Sequence, residues 1–579
     1  MSAQDPHEEE ALGKIYDSRL ARRLLTYLKP YKGRVIAALI LTVLSGVFVL
    51  AQPLLVLRLL DHAIPNRDEQ QIAWICVAFM ALMILEYISQ YTYILLVNAT
   101  GQKAMYDLRV ELFQHLQQLS LSFFDKNPVG RLMTRVTGDI EVLNELFSNG
   151  VTIIIGALFM LVGILAILFW LNVKMTLLAL CILPPILLVT RYFRVWSREG
   201  FRAVRTRIAR LNAYLQENVA GLQTVQVFVR EDRNLDKYKE LNKDHYDANI
   251  QTIVAFSIFF PAVEIISSLA IGMMLWYGGA QVFHATVTLG VLVSFIQYLL
   301  KFFQPLRELS AQYGTLQSAM ASSERIFRLL DEEIQVADPV EPVKPPETSG
   351  RIRFENVWFE YNPGEPVLRD VDFEVKSGEK VAFVGATGSG KTTTMSLLSR
   401  FYDVTKGRVL VDGVDVREWT KRDLRSRIAI VLQEVFLFSG TVEENVTLHE
   451  PSISREDVIK VCEDLGIYDL IQGFPKGLDS VLNERGRNLS VGERQLISFA
   501  RAMAFDPQIL VLDEATSSID TETERIIQHA VERLMEGRTS LIVAHRLSTI
   551  QNCDRILVFN KGKIAESGTH EELLALNGL

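Results

Sequence analysis

Six long apolar runs fill the first half of the chain, at about Val35–Leu57, Ile72–Val97, Val151–Leu171, Met175–Tyr192, Thr252–Tyr277 and Val287–Phe303. Each is near the roughly 20 residues that a helix needs to cross a bilayer. A large soluble core also buries apolar helices, but clustering in one half of the chain favours membrane spans. Ahead of them, Ser18 to Lys32 alternate basic and apolar positions at helical spacing, the pattern of a helix lying on a membrane surface. Links one, three and five (around Asp61–Gln71, Asn172–Lys174 and Gly278–Thr286) are short and carry few basic residues. Links two and four are long, and the fourth carries Arg194, Arg198, Arg202, Arg205, Arg207 and Arg210. Basic residues beside span ends stay in the cytoplasm, so both long links and both termini belong there. Helical periodicity continues into these links and predicts helices running past the membrane. Gly130 after Asn127-Pro128, and Gly221, predict breaks where short crossing helices could touch a soluble domain.

The stretch Asp331 to Gly350 is acidic and proline-rich with no apolar period, and it reads as a linker. After it, strand-like runs alternate with helical ones, the order of an α/β domain. The expected organisation is a cytoplasmic N-terminus and interfacial helix (1–33), a six-span transmembrane domain (34–330), a linker (331–350) and a nucleotide-binding domain (351–579). The fold class is an α-helical six-span transmembrane domain followed by an α/β P-loop nucleotide-binding domain.

Composition agrees with that division. The 579 residues are 49% hydrophobic yet 22% charged, a pairing that fits a membrane half joined to a soluble half. The net charge of −8 gives no sign of nucleic-acid binding. Cys76, Cys181, Cys462 and Cys553 are scattered, which indicates neither a disulfide framework nor a zinc site. Met1 to Leu12 is acidic and polar, unlike a cleavable signal peptide.

The chemistry centres on Gly385-Ala386-Thr387-Gly388-Ser389-Gly390-Lys391-Thr392, which fits G-x-x-x-x-G-K-[ST]. An apolar strand enters this loop and a helix beginning near Thr393 leaves it. Backbone N–H groups and a helix N-terminus then converge on one spot, as phosphate binding requires. Lys391 is expected to reach the β/γ-phosphates and the Thr392 hydroxyl to ligate Mg²⁺. Further on, Gln508 to Glu514 reads Q-I-L-V-L-D-E. A buried strand ending in Asp513 supplies a carboxylate for Mg²⁺, and Glu514 is placed to accept a proton from the attacking water. Between these motifs lies Leu489-Ser490-Val491-Gly492-Glu493-Arg494-Gln495, where Ser490 alone would be an ordinary helix N-cap.

The order of phosphate loop, Gln433, this LSVGERQ stretch, ILVLDE, Ser517 to Asp520 and His545 resembles the ATP-binding cassette proteins. Six spans ahead of the cassette resemble a half-transporter of the exporter class, so ATP and Mg²⁺ are the expected cofactors and a second half-transporter the expected partner. The resemblance implies that Tyr361 stacks on adenine, with Gly385 to Thr393 around the phosphates. It also implies that Gln433 approaches Mg²⁺ and that His545 contacts the γ-phosphate. Ser490, Val491, Gly492 and Glu493 would face the nucleotide of the opposite cassette, and Glu484-Arg485-Gly486 the long cytoplasmic links.

The signature departs from the family's LSGGQ at Val491 and Glu493. A β-branched residue adopts fewer backbone conformations than glycine. A carboxylate near a γ-phosphate is repelled by at most about 4 kcal/mol, for unit charges about 4 Å apart at an effective dielectric of about 20. A weak signature beside an intact Glu514, Gln433 and His545 resembles the competent-site member of a heterodimeric bacterial multidrug exporter, so a heterodimer is favoured over a homodimer. The expected function is ATP-driven export of hydrophobic or amphipathic small molecules, drug-like compounds, lipids or peptides, across the cell membrane by alternating access. An ATP-gated channel or a regulatory membrane subunit is the alternative. Glu86 and Glu264 are carboxylates inside spans, costly unless they face an interior or a partner, and one of them is expected to contact a cationic substrate.

Overall fold

The computed structural model describes residues 17–344, 346, 349–513, 521–543 and 547–579. They form two compact units: one within residues 17–115 and 130–331, the other within residues 116–129 and 332–579.

The first unit contains six helical segments long and apolar enough to cross a membrane: Lys29–Ala63, Glu69–Gln118, Val129–Leu171, Val173–Ala220, Glu231–Phe283 and Leu289–Leu330. A helix at Ser18–Thr26 precedes them, with Asp17 accepting from the Arg19 N–H as its cap. The long links are helical extensions of the spans, as their periodicity predicts. The fourth link breaks at Gly221, whereas the second breaks at Ser120 and at Asn127-Pro128, with Gly130 already inside the helix Val129–Thr134. Proline explains that shift, because it disfavours helical backbone at the residue before it and then starts the next helix.

The last span is the hub of the unit. Its Phe295, Tyr298, Leu299, Phe302 and Phe303 are buried against the other spans. Pro53 inside the first span has no N–H and frees the carbonyl one turn earlier, at Val49. A freed carbonyl at membrane depth needs another donor. Polar side chains of the last span face this weakened turn. Ser294 donates to the Pro53 carbonyl at 2.7 Å, Tyr298 to that of Leu50, and Lys301 to that of Val49 at 3.4 Å. At its start, Asp61 accepts from the Gly290 N–H at 2.8 Å and from the Thr288 hydroxyl, capping the helix with a carboxylate.

In the second unit the strands are β1 (Ile352–Glu360), β2 (Pro366–Val375), β3 (Lys380–Gly385), β4 (Lys406–Val411), β5 (Val414–Asp415), β6 (Ile428–Val431), β7 (Gly440–Thr441), β8 (Val481–Leu482), β9 (Ile509–Asp513), β10 (Thr539–Val543), β11 (Arg555–Asn560) and β12 (Lys563–Gly568). Among the described residues, one sheet has the order β12-β11-β3-β10-β9-β6, and an antiparallel one the order β2-β1-β4-β5. In the first, β11, β3, β10, β9 and β6 run parallel. Strand β10 is buried throughout and β9 nearly so, as parallel strands covered on both faces must be. The expected fold class therefore holds. Cys462 lies in one of the two apolar layers, where burial pushes its thiol up to about 12. Without thiolate there is no nucleophile, so a maleimide at neutral pH should label Cys462 only after unfolding, as peptide mass mapping would show.

Candidate functional site

Parallel strands gather their carboxyl ends on one edge, where open α/β sheets bind ligands. Strand β3 delivers the phosphate loop to that edge. Gly385 has φ of 146° there, and a Cβ on it would meet the Phe559 carbonyl oxygen at 2.2 Å. Gly390, the N-cap of the helix Lys391–Leu398, has φ of 109°. Both positions need glycine, one for close approach to β11 and both for a left-handed turn. The loop folds around Lys391, whose ammonium donates to the carbonyls of Gly385 at 2.8 Å and Ala386 at 3.0 Å. Burial lowers its pKa, and the charge of Asp513 partly restores it. An arriving polyphosphate would add to that restoring field. Lys391→Met is expected to weaken ATP binding by about tenfold to a hundredfold, the range of one hydrogen bond to a charged group, which titration with a fluorescent ATP analogue measures.

Strand register places the other predicted groups. Asp513 pairs level with Val543, and Val543 with Phe383, so Asp513 stands two strand spacings from the loop strand, about 9.5 Å. Thr392 is exposed on the first helical turn and Gln433 on the loop after β6. Thr392, Gln433 and Asp513 are all oxygen donors, as Mg²⁺ requires, and they share one edge of the sheet. Glu514, Ser517 to Asp520 and His545 lie outside the described residues. Tyr361 is 42% exposed and its hydroxyl meets that of Thr393 at 3.1 Å. Its ring is held edge-on by Phe359 and Tyr402, at 4.8 and 5.2 Å between centroids.

The signature corrects two expectations. Ser490 caps the helix Val491–Ala504, accepting from the Glu493 N–H at 3.2 Å, while the Glu493 carboxylate accepts from the Ser490 N–H at 2.6 Å. Val491 is the first residue of that helix, an ordinary conformation that valine adopts without strain. The carboxylate of Glu493 is folded back on its own cap, where it offsets the positive end of the helix. The backbone penalty expected for Val491 is therefore absent. What remains is a helix end less attractive to phosphate.

Sequence reading missed Tyr402 and Asp125. The helix Leu121–Lys126, in the link between the second and third spans, packs in the same unit as the sheets. Its Asp125 accepts from the Tyr402 hydroxyl, Ser122 donates to Gln335 at 2.7 Å, and the Ser120 hydroxyl accepts from the Val336 N–H at 3.0 Å. Burial and the bond to Asp125 push the Tyr402 phenol well above its ordinary range. Tyr402 thus touches both Tyr361 and the link. A tyrosine after a helix end carries no pattern that would have marked it.

Within the membrane half, Glu86 accepts from the Gln52 amide at 2.5 Å, and the Gln52 carbonyl accepts from Lys301 at 3.1 Å. Glu264 is exposed on an apolar face of the fifth span with Ile265, Leu269 and Trp276.

Residues 35–306 match the model of the ABC transporter transmembrane region, and residues 368–517 that of the ABC transporter domain. An uncharacterised ABC transporter ATP-binding protein of Bacillus subtilis, YknV, is 38% identical over 99% of this chain and 95% of its own. The chain belongs to the ABC transporter family. A fatty acid ABC transporter ATP-binding/permease protein of Mycobacterium bovis is 40% identical to this ABC exporter over 84% of the chain and 76% of its own length. A bacterial Atm1-family ABC exporter solved with ATP bound superposes with a TM-score of 0.75 at 30% identity, over 97% of this chain and 98% of that one. This ABC exporter is accordingly a multi-pass cell-membrane protein with a cytoplasmic cassette that binds and hydrolyses ATP. A six-span region joined to one cassette is the half-transporter fold, which implies dimerisation.

Proposed function

We propose that this exporter moves hydrophobic or amphipathic small molecules out of the cell by alternating access, powered by ATP held between two cassettes. The observation that carries the reading is the contact of the second link with Tyr402, beside Tyr361 at the nucleotide edge. Any shift of the base platform on ATP binding is felt by a helix that leads directly into two spans. Tyr361 would stack on adenine, and Gly385, Ala386, Thr387, Gly388, Ser389, Gly390, Lys391, Thr392 and Thr393 would cradle the phosphates. Thr392, Asp513 and Gln433 would hold Mg²⁺, which when bound neutralises phosphate charge. Glu514 would accept the water proton, and His545 would steady the γ-phosphate. Two ATP molecules favour the closed pair of cassettes, and hydrolysis releases it. ATP-dependent uptake into inside-out vesicles tests this. Conductance steps under ATP without accumulation would favour a channel instead.

The partner is a second half-transporter, and the Glu493-capped signature supports a heterodimer. Ser490, Val491, Gly492 and Glu493 would face the partner's nucleotide with weak anion attraction, while this chain's own loop pairs with the partner's signature. Purified alone, the chain is expected to hydrolyse ATP slowly, and Val491→Gly with Glu493→Gln to raise that rate by about tenfold, the range of one helix-end charge. A homodimer at full activity that these substitutions leave unchanged refutes the heterodimer.

A further inference from the structure

Lys301 belongs to no predicted site, yet it is an ammonium at membrane depth. Gln52, Glu86 and Lys301 lie inside the apolar runs Val35–Leu57, Ile72–Val97 and Val287–Phe303. Each run is near the roughly 20 residues that cross a bilayer. Ionisable groups persist there only for a reason, commonly a substrate or ion path.

The three polar groups form a relay across three spans. The Gln52 amide is oriented so that its oxygen meets Lys301 at 3.1 Å and its nitrogen meets Glu86 at 2.5 Å, the one orientation that satisfies both. Lys301 and Glu86 thus neutralise one another through a neutral amide, not by a direct ion pair. The two ends are held unequally. Glu86 accepts from the Gln52 amide, whereas Lys301 has one ordinary bond and a long 3.4 Å contact with the Val49 carbonyl, against three donors on its nitrogen. The ammonium is the end with capacity to spare. One turn before Glu86, Met83 of the second span is 52% exposed, an apolar side chain on the same helix face.

We propose that Lys301 is the headgroup anchor for an amphiphilic anion, whose carboxylate or phosphate takes the ammonium from Gln52 while its tail lies on the apolar face of the second span. Glu86 then keeps the site neutral when it is empty, and Gln52 is the positioning residue that yields the ammonium. This rests on the exporter reading above and names the substrate class within it.

The test uses the full chain in lipid nanodiscs, with its partner chain if hydrolysis needs one. Four probes of one alkyl length are compared: a fatty acid, an alkyl phosphate, an alcohol and an amine. Binding without ATP and stimulation of ATP hydrolysis over each variant's own basal rate are both read. The acid, the phosphate or both are expected to act at lower concentration than the alcohol and the amine, and the better of the two identifies the headgroup. Lys301→Met should raise that probe's half-maximal concentration about tenfold or more, and Lys301→Arg should keep it near wild type. Gln52→Glu, which gives the ammonium a direct ion pair, should also raise it, and it decides the matter if Lys301→Met does not assemble. An alcohol as potent as the acid, an unchanged acid response in Lys301→Met or in Gln52→Glu, or an amine preference removed by Glu86→Gln overturns the proposal. Anion-selective binding through Lys301 in nanodiscs, with no ATP-dependent uptake of any probe into inside-out vesicles, supports the site and overturns the exporter reading instead.

Discussion

In the Glu514→Gln variant, ATP binding is expected to persist while steady-state turnover falls by about 10²–10⁴-fold, the contribution of a positioned general base. The substitution keeps the volume and the hydrogen-bonding reach of the side chain, but an amide cannot take the proton of the attacking water. The assignment of Glu514 rests on the strand that ends just before it in the sequence. Ile509 to Leu512 are buried, and β9 carries Asp513 to the edge where the phosphate loop also opens. Glu514 follows in the sequence directly after Asp513, the group assigned to Mg²⁺. Nucleotide affinity and phosphate release measured on one preparation separate the two effects. Turnover within tenfold of wild type would place the base on another residue. A parallel loss of affinity would mean that Glu514 holds the site together and does not serve the water.

The span and strand pattern was legible because it depends on apolar runs that no tertiary contact overrides. Val151–Leu171 is a helix of the bounds predicted, since Asn172 caps the next helix by accepting from the Met175 N–H. The apolar run of the second span ends near Val97 while its helix runs on to Gln118, because beyond the bilayer the helix is held by amphipathic packing, as the periodicity of the link predicts. Lys301 was passed over for a related reason. It stands near the end of an apolar run, where a lysine usually reaches for the interface, and only the proline-freed carbonyl of the facing span shows what it meets. Phe256, Phe259 and Phe260 in the fifth span could line a cavity, but packing is the readier role for them. In the structure Phe193 stacks on Phe259 at 4.1 Å and meets Phe256 edge-on at 5.0 Å, which is helix packing. The phosphate loop was readable because glycine, lysine and threonine are each required locally. The turn of Glu493 onto its own cap was not, because a carboxylate three residues into a helix serves a cap or repels a phosphate with the same letters.

Asp139→Ala should destabilise the membrane half by about 3–5 kcal/mol, the cost of leaving one partner of a buried ion pair uncompensated. Asp139 is only 5% exposed. Its two oxygens accept from the Arg325 guanidinium at 2.9 and 2.5 Å, and from the Ser322 hydroxyl at 2.9 Å. This fork joins the last span to the third segment at Arg135–Asp139, where the helix widens to a π-turn. A π-turn lacks the regular backbone pairing of its neighbours, so the side chains fix the register there. Ile140 and Leu143, both fully buried, would lose that register with the carboxylate. Melting of the detergent-purified protein should fall by about 5–10 °C for Asp139→Ala and by less for Asp139→Asn, which keeps the hydrogen bonds. Replacing Asp139 and Arg325 together by leucine should recover most of the loss, because desolvation offsets much of the Coulomb gain of a buried pair. Wild-type melting of both single variants would show that the apolar layer alone holds the junction. Loss in the alanine variant with no recovery in the double variant would show that the guanidinium also serves another contact.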